Sequence, residues 1–517
     1  MGTISHNGDI SDLRASPVGF LFPVLQSLPL DALSSKQFVT IMDVLSEGEI
    51  EGFPSAAGYT QGTNTYNIAA LKDVYLGKTP ILKASADPAN TQDDDFNFKN
   101  IKFNPRFGTS DQTFINGINS VETEQAVNVK VVQATPVVRQ ITNTNIDAVR
   151  VTVRFTALTK VTQEGDTIGR TVNLQVQLIQ NDGTTTTPIT DSVHGRSFNA
   201  YSRDYRINIP SGASFPIQIK VIRTSPDTTV STARDDFFWT SFTEIIDEQN
   251  AYPDIAHVGL RFDSEQFPSI PPRMFKVRGV KIKIPHNASV DQTTGRLIYT
   301  GTFNGTLTTA THWTSDPSWI LFNLLTNTRF GLGDHITEDK LDKFAFYSAS
   351  VYCSELVDDG QGGTEPRFSL NTVLQKREDA YTTINALTSV MRSMTFWSAG
   401  SLTLTQDRPT DPSYLFNLSN VSIEGFSYQG TALKARSTSV SVSYFDMENQ
   451  VLDFETVNDD AAIAKYGTIQ KKVTGFGCSS RNQARRLGRF MLFEEQNSTE
   501  TISFVTGLSE GAIVRPA

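Results

Sequence analysis

The stretch TVNLQVQLIQNDGTTTTPI, residues 171–189, decides the fold class. Val172, Leu174, Val176 and Leu178 alternate with Asn173, Gln175 and Gln177. In an extended chain successive side chains point to opposite faces, so this run has one apolar and one polar face and reads as a half-buried strand. It stops at Asn181-Asp182-Gly183, a turn signal, and then resumes. The same pattern lies on both sides. DAVRVTVRF (147–155) alternates Val149, Val151, Val153 and Phe155 with polar residues, and DYRINIPSGASFPIQIKVIR (204–223) gives two strands around Ser211-Gly212. Short alternating strands separated by turns at this spacing, from about residue 126 to 223, predict a half-buried antiparallel β-sandwich.

Upstream, QFVTIMDVLSEGEIEGF breaks at Gly48 and Gly52, and ALKDVYLGKTPI reads as a hairpin turning at Gly77-Lys78. QDDDFNFKNIKFNPRFGTSDQ alternates Phe96, Phe98, Ile101 and Phe103, with a turn expected at Asn104-Pro105. Downstream, three helices stand out. In DPSWILFNLLTNTRFGLGDHI (316–336), Asp316 is placed to cap, Pro317 fits the first turn, and Gly331 and Gly333 allow a sharp exit. Its apolar arc is too wide for one partner, so Trp313, Trp319, Leu324 and Leu325 are expected to pack domains together. In REDAYTTINALTSVMRSM, the residues Ala380, Ile384, Leu387, Met391 and Met394 predict one buried helical face. In SSRNQARRLGRFMLFEE, Ala484, Leu487, Phe490 and Met491 share one face, and Arg481, Arg485 and Arg489 stack on another. That stripe reads either as a solvated face or as a subunit interface or phosphate-facing surface. The fold class is mainly β with a few α-helices, in several domains.

With 38% hydrophobic and 19% charged residues, the 517-residue chain has material for real cores. Its net charge of −10 argues against a duplex nucleic-acid binder, which needs clustered cations to displace counterions. An acidic chain could still line a channel through which nucleic acid slides. Cys353 and Cys478 lack metal or redox spacing and leave a single disulfide open. None of the six histidines has metal-ligand spacing, and Asp93-Asp94-Asp95 lacks the pattern of a calcium loop. No cofactor, metal or catalytic residue is nominated. ASPVGFLFPVLQSLPL (15–30) follows Asp9, Asp12 and Arg14 rather than a cationic run, and Pro17, Pro23 and Pro29 break any helix, which argues against a signal peptide. Residues 1–35 are expected to be a flexible terminus or an extended arm lying on a neighbouring subunit.

Several stretches, in order, resemble the tip attachment (host specificity) protein family of lambda-like long-tailed phages. They are VLSEGEIEGF with VYLGKTPI, FNPRFGTSDQTFI with its Gly-x-x-x-Gln segment, FFWTSFTEIID, YPDIAHVGLRFDSEQF, VRGVKIKIPHN, the WILFNLLTNTRFGLG helix, AAIAKYG, FGCSSRNQARRLGRFML and TISFVTGL. The resemblance covers about residues 36–517. It implies a homotrimeric tail-tip hub in which each chain supplies two tube-type β-barrel domains. The first hub domain would draw on 36–125 plus 250–285, with 126–236 inserted as an immunoglobulin- or fibronectin-like β-sandwich. Residues 286–420 would be an α/β middle domain, and 421–517 an incomplete second hub domain. The implied partners are a hexameric distal tail protein ring, the C-terminus of the tape measure protein, other tail-tip and fibre proteins, and DNA passing through the lumen during ejection. Contact with a host receptor would fall to parts beyond residue 517 or to separate fibres. The implied place is the distal end of the virion tail. Two other classes stay open on the residues: a β-rich extracellular adhesin, and a cell-wall hydrolase with an acid pair set only in space.

Overall fold

The computed structural model describes residues 2–6, 38–115, 120–263, 266–267, 269–375, 378–398, 400–430, 436–511 and 513–514. Of the expected N-terminal arm, only Gly2–His6 falls within them, as a strand antiparallel to Arg273–Val280, with Gly2 opposite Val277. The rest of residues 1–35 lies outside the described residues. The molecule is mainly β, built from many small sheets, and the strand orders describe open sheets.

The first unit is split in sequence. Ile255–Asp263 lies between Phe38–Glu47 and Lys102–Phe107, antiparallel to both. A second sheet centres on Arg273–Val280, flanked by Gly2–His6, Val74–Leu76 and Ile50–Gly52. Between them lies a core that includes Ile50, Phe53, Val74, Ile81, Leu82, Val258, Leu260 and Phe275, with helix α1 (Asn64–Ala70) on its flank. The Arg273 guanidinium holds both carboxylate oxygens of Asp43, at 2.6 and 2.9 Å, which ties the two sheets together. The turn read at Asn104-Pro105 is not there. Pro105 sits within an outer strand opposite Val258. An edge strand tolerates a proline because only one of its sides needs N–H donors.

The chain leaves this unit after Phe107 and returns at Ile255, and the residues between form a sandwich. One sheet orders Thr185–Gly195, Arg170–Ile179, Ile217–Arg223 and Val137–Ile141. The other orders Tyr201–Asn208, Ala148–Phe155, Phe237–Asp247 and Ser120–Lys130. Val149, Val151, Val153, Val172, Leu174 and Val176 are fully buried between them, the alternate positions that period 2 assigns to one face. Trp239 is also buried, and its indole N–H donates to the Ser241 carbonyl at 2.8 Å.

The third unit packs α2 (Pro317–Thr326), α3 (Lys343–Ser354) and α4 (Ala380–Val390) against the hairpin Ser393–Ser398/Ser401–Gln406. The α4 stripe is shorter than its spacing suggests. Leu387 and Met391 are buried, Ala380 is exposed, and Met394 lies half exposed on the following strand. The cause is local: Arg392 adopts φ +51°, which turns the chain out of the helix before the stripe is complete.

The last unit is a three-stranded sheet, Val451–Asn458, Ser439–Asp446 and Gln470–Thr474. Its parallel pair is connected through α5 (Asp460–Tyr466), and α6 (Arg481–Asn497) covers one face through Val440, Val442, Ala484 and Leu492. A separate two-stranded ribbon, Ser427–Gly430 with Glu500–Ser503, completes the fold.

Candidate functional site: the junctions between units

Polar side chains bridge the units where they meet. The first junction lies where the sandwich leaves and rejoins the first unit. Gln112 spans it. Its Oε1 accepts from the Gly108 N–H at 2.9 Å. Its Nε2 lies within donor range of the carbonyls of Ala251 (3.0 Å), Tyr252 (2.5 Å) and Ile255 (3.0 Å). One amide therefore holds the outgoing and the returning strands together. The backbone is tight here: a Cβ on Gly108, at φ +83°, would stand 2.5 Å from the Gly48 carbonyl oxygen. Tyr252 and Asp254 adopt positive φ of 47° and 60°, a region costly for residues with a Cβ. The sequence showed the Gly-x-x-x-Gln spacing but not what the glutamine reaches.

The loop after α2 meets the same place. Arg329 pairs with Glu47 at 2.8 Å and with Asp254 at 3.0 Å, and Phe330 packs beside Gly48. Gly331 and Gly333 make this exit possible for a steric reason. A Cβ at Gly331 would lie 2.0 Å from the Leu324 carbonyl oxygen, and one at Gly333 would lie 2.3 Å from that of Thr326.

The four residues expected to pack domains occupy three kinds of position. Trp319 and Leu325 are fully buried in the core of the third unit. Leu324 is partly buried against that core, and its carbonyl accepts from the Leu332 N–H at 3.0 Å. Trp313 stands at the boundary with the first unit, under the Arg278 guanidinium at 4.9 Å. Asp316 does cap α2, accepting from the Trp319 N–H at 3.0 Å. Its other oxygen accepts from Ser350 on α3 at 2.6 Å, so the cap also joins two helices. Tyr299 extends the network, accepting from the Trp319 indole at 3.2 Å and bonding to Ser350. Burial is the main influence on Asp316 and raises its carboxyl to about 6, against the pull of these donors.

The second junction joins the third unit to α6. Gln483 pairs with Ser369 twice through the backbone, accepting from its N–H and donating to its carbonyl, both at 3.0 Å. Arg486 pairs with Glu365 and donates to the Arg367 carbonyl at 2.9 Å. Ser480 caps α6 and donates to Glu365 at 2.6 Å. These residues were not singled out in the sequence, where Arg486 looks like any other arginine of the helix. The arginine stripe faces elsewhere. Arg481 pairs with Glu455 of its own chain at 2.7 Å, whereas Arg485 and Arg489 are exposed and have no ion pair among the described residues. Cys353 and Cys478 are both buried free thiols.

A split sheet carrying an inserted sandwich, with helices whose polar side chains cross-brace the units, defines a mainly β, multi-sheet protein. Two family models match it: the FNIII-A domain of tip attachment protein J over residues 121–248, and a putative phage tail protein over residues 379–514. The tip attachment protein J of Escherichia phage SECphi27 is 33% identical over 86% of this chain and 36% of its own length. That of Escherichia phage SECphi4 is 31% identical over 94% of this chain and 40% of its own length. The chain is a homologue of phage tip attachment protein J and carries that protein's FNIII-A domain. It spans about two fifths of the length of these curated relatives. Likeness to solved structures is slight. A family 22 carbohydrate-binding module of Clostridium thermocellum Xyn10B aligns with TM-score 0.16 and 11% identity over 39% of this chain and 96% of that one, too low to carry any argument.

Proposed function

We propose that this chain is a structural component of the tail tip of a long-tailed phage, as a homotrimeric central hub at the distal end of the virion. The observation that carries the reading is collinear identity with tip attachment protein J over most of the chain, with the FNIII-A match falling on the inserted sandwich. In this reading the split unit, whose strands lie at 38–107 and 255–280, and residues 421–517 are the two tube-type hub domains. Residues 286–420 are the middle domain that joins them. Their sheets are open in the single chain, and neighbouring copies would complete the tube wall.

The hub would dock on a hexameric distal tail protein ring, since three chains with two tube domains each present six contacts. It would hold the C-terminus of the tape measure protein and adjoin the remaining tail-tip and fibre proteins. Receptor engagement by parts beyond residue 517 or by separate fibres would open the lumen to the ejected DNA. A channel wall of an acidic protein repels the phosphate backbone, which favours passage over adhesion. Electron microscopy of purified tails tests the reading. Three copies around an axial channel at the distal tip are expected, and another copy number or another location overturns it.

A further inference from the structure

The ribbon of Ser427–Gly430 and Glu500–Ser503, with the loops that flank it, has no apolar cover within the described chain. Its eight strand residues are all exposed. A small aromatic cluster, with Phe416 4.7 Å and Phe426 5.2 Å from the Phe504 ring, holds the loops to the ribbon. Around it, Leu415, Leu418, Ile423 and Leu508 stand 76–105% exposed. A two-stranded ribbon is marginal in water, and large apolar side chains this exposed on the segments that flank it mark a contact surface. The charge is one-sided. Residues 409–430 and 498–511 contain Asp411, Glu424, Glu500 and Glu510 and no lysine or arginine. None of the four carboxylates has an ion-pair partner among the described residues.

The same chain carries a surface of opposite charge. Arg485, Arg489 and Phe493 follow one another at i, i+4 and i+8 on the outer face of α6. All three are exposed, Phe493 by 66%, and the two arginines have no ion pair among the described residues. A basic stripe ending in an exposed aromatic ring complements an acidic arm studded with leucines.

We propose that the acidic ribbon of one copy docks on the α6 stripe of the next copy. The carboxylates of the ribbon would meet Arg485 and Arg489, and Phe493 would pack among its leucines. Such a contact is heterologous, joining two different surfaces, and a heterologous contact closes into a ring when its rotation allows. The inference rests on the trimeric reading and names the surfaces that make the trimer.

Cysteine crosslinking separates the two claims. The native thiols are buried, so introduced cysteines provide the accessible pair. One chain carries Leu418→Cys, and a second, differently tagged, carries Phe493→Cys. The two are co-expressed and mildly oxidised, and light scattering gives the mass of the unmodified protein. The expected result is a trimer in which the mixed chains crosslink and neither variant alone does so. Charge reversal gives a second readout. Arg485→Glu with Arg489→Glu should weaken association at least tenfold, and Glu424→Arg with Glu510→Arg in the same chain should restore most of it. A trimer without the mixed crosslink overturns the docking while leaving the trimeric reading standing. A crosslink formed within one chain carrying both cysteines, with none between chains, also overturns the docking. A chain that stays monomeric at all concentrations overturns the docking as the contact that builds the trimer, and the copy number at the tip of purified tails decides the trimeric reading separately.

Discussion

Asp316 shows how one residue can serve local and tertiary structure at once. It caps α2 as an aspartate at that position should, and the fold then buries it completely against Ser350. Its folded-state carboxyl rises from 3.8 to about 6, so the folded chain holds the proton more tightly than the unfolded one. The sign follows. As pH rises from about 4 to about 6 the unfolded chain ionises first and this residue's contribution to stability falls. The span corresponds to about 3 kcal/mol. Asp316→Asn keeps a capping oxygen and removes the titration. Its denaturation midpoint, relative to the parent, should therefore improve between pH 4 and pH 7, and parallel pH profiles would sink the argument. Trp319→Ala tests packing at the neighbouring position. Trp319 is fully buried, so its truncation should cost about 3–5 kcal/mol in urea unfolding. Gln112→Ala removes an amide that accepts from the Gly108 N–H and has three backbone carbonyls within donor range. It should speed amide exchange at Gly108 while leaving the sandwich core protected, because the clamp acts only on the connections.

At the scale of elements, the sandwich has an internal brace that its alternating pattern does not announce. Arg223 and Asp235 are both fully buried and pair at 3.0 Å. Arg223 also donates to the Asp235 carbonyl at 2.9 Å, and Arg170 reaches the second carboxylate oxygen. A buried pair is weak evidence of net stability, but losing one partner strands the other charge. Asp235→Asn should lower the stability of the sandwich by about 3–5 kcal/mol. The effect should appear in exchange protection of Arg170–Ile179, with the α2–α3 region unchanged. Helix α6 divides its labour by face. Gln483 and Arg486 dock it on residues 365–369, whereas Arg485 and Arg489 look outward. Arg486→Ala should thus loosen the third unit from the last within one chain, and the outward pair should affect only association.

At the scale of the molecule, electrostatics distinguishes contacts inside the chain from contacts between chains. The proposed ribbon-to-stripe contact uses exposed charges, whose attraction is screened over about 8 Å at physiological salt. Raising salt from about 0.05 to about 0.5 M should shift light-scattering mass toward monomer. The midpoint of unfolding should move little by comparison, because the cores are apolar and the Arg223–Asp235 pair is shielded from solvent. Salt-insensitive association would point to a purely apolar interface.

The sequence by itself determined the elements with strong periodicity. Alternation at Val149–Phe155 and Val172–Leu178 gave the sandwich strands, because a period-2 pattern admits one backbone conformation with one face buried. The cap at Asp316 marked a helix start for an equally local reason. Boundaries set by a single dihedral, as at Arg392, or by strand position in a sheet, as at Pro105, escaped it. Only the tertiary structure decided which polar residues matter. Gln112, Arg329, Gln483 and Arg486 gain their roles from carbonyls and carboxylates far along the chain, and no local pattern encodes a partner at that separation. It also decided which arginines of α6 are already paired and which remain free among the described residues. Periodicity names a face, but the fold supplies what that face meets.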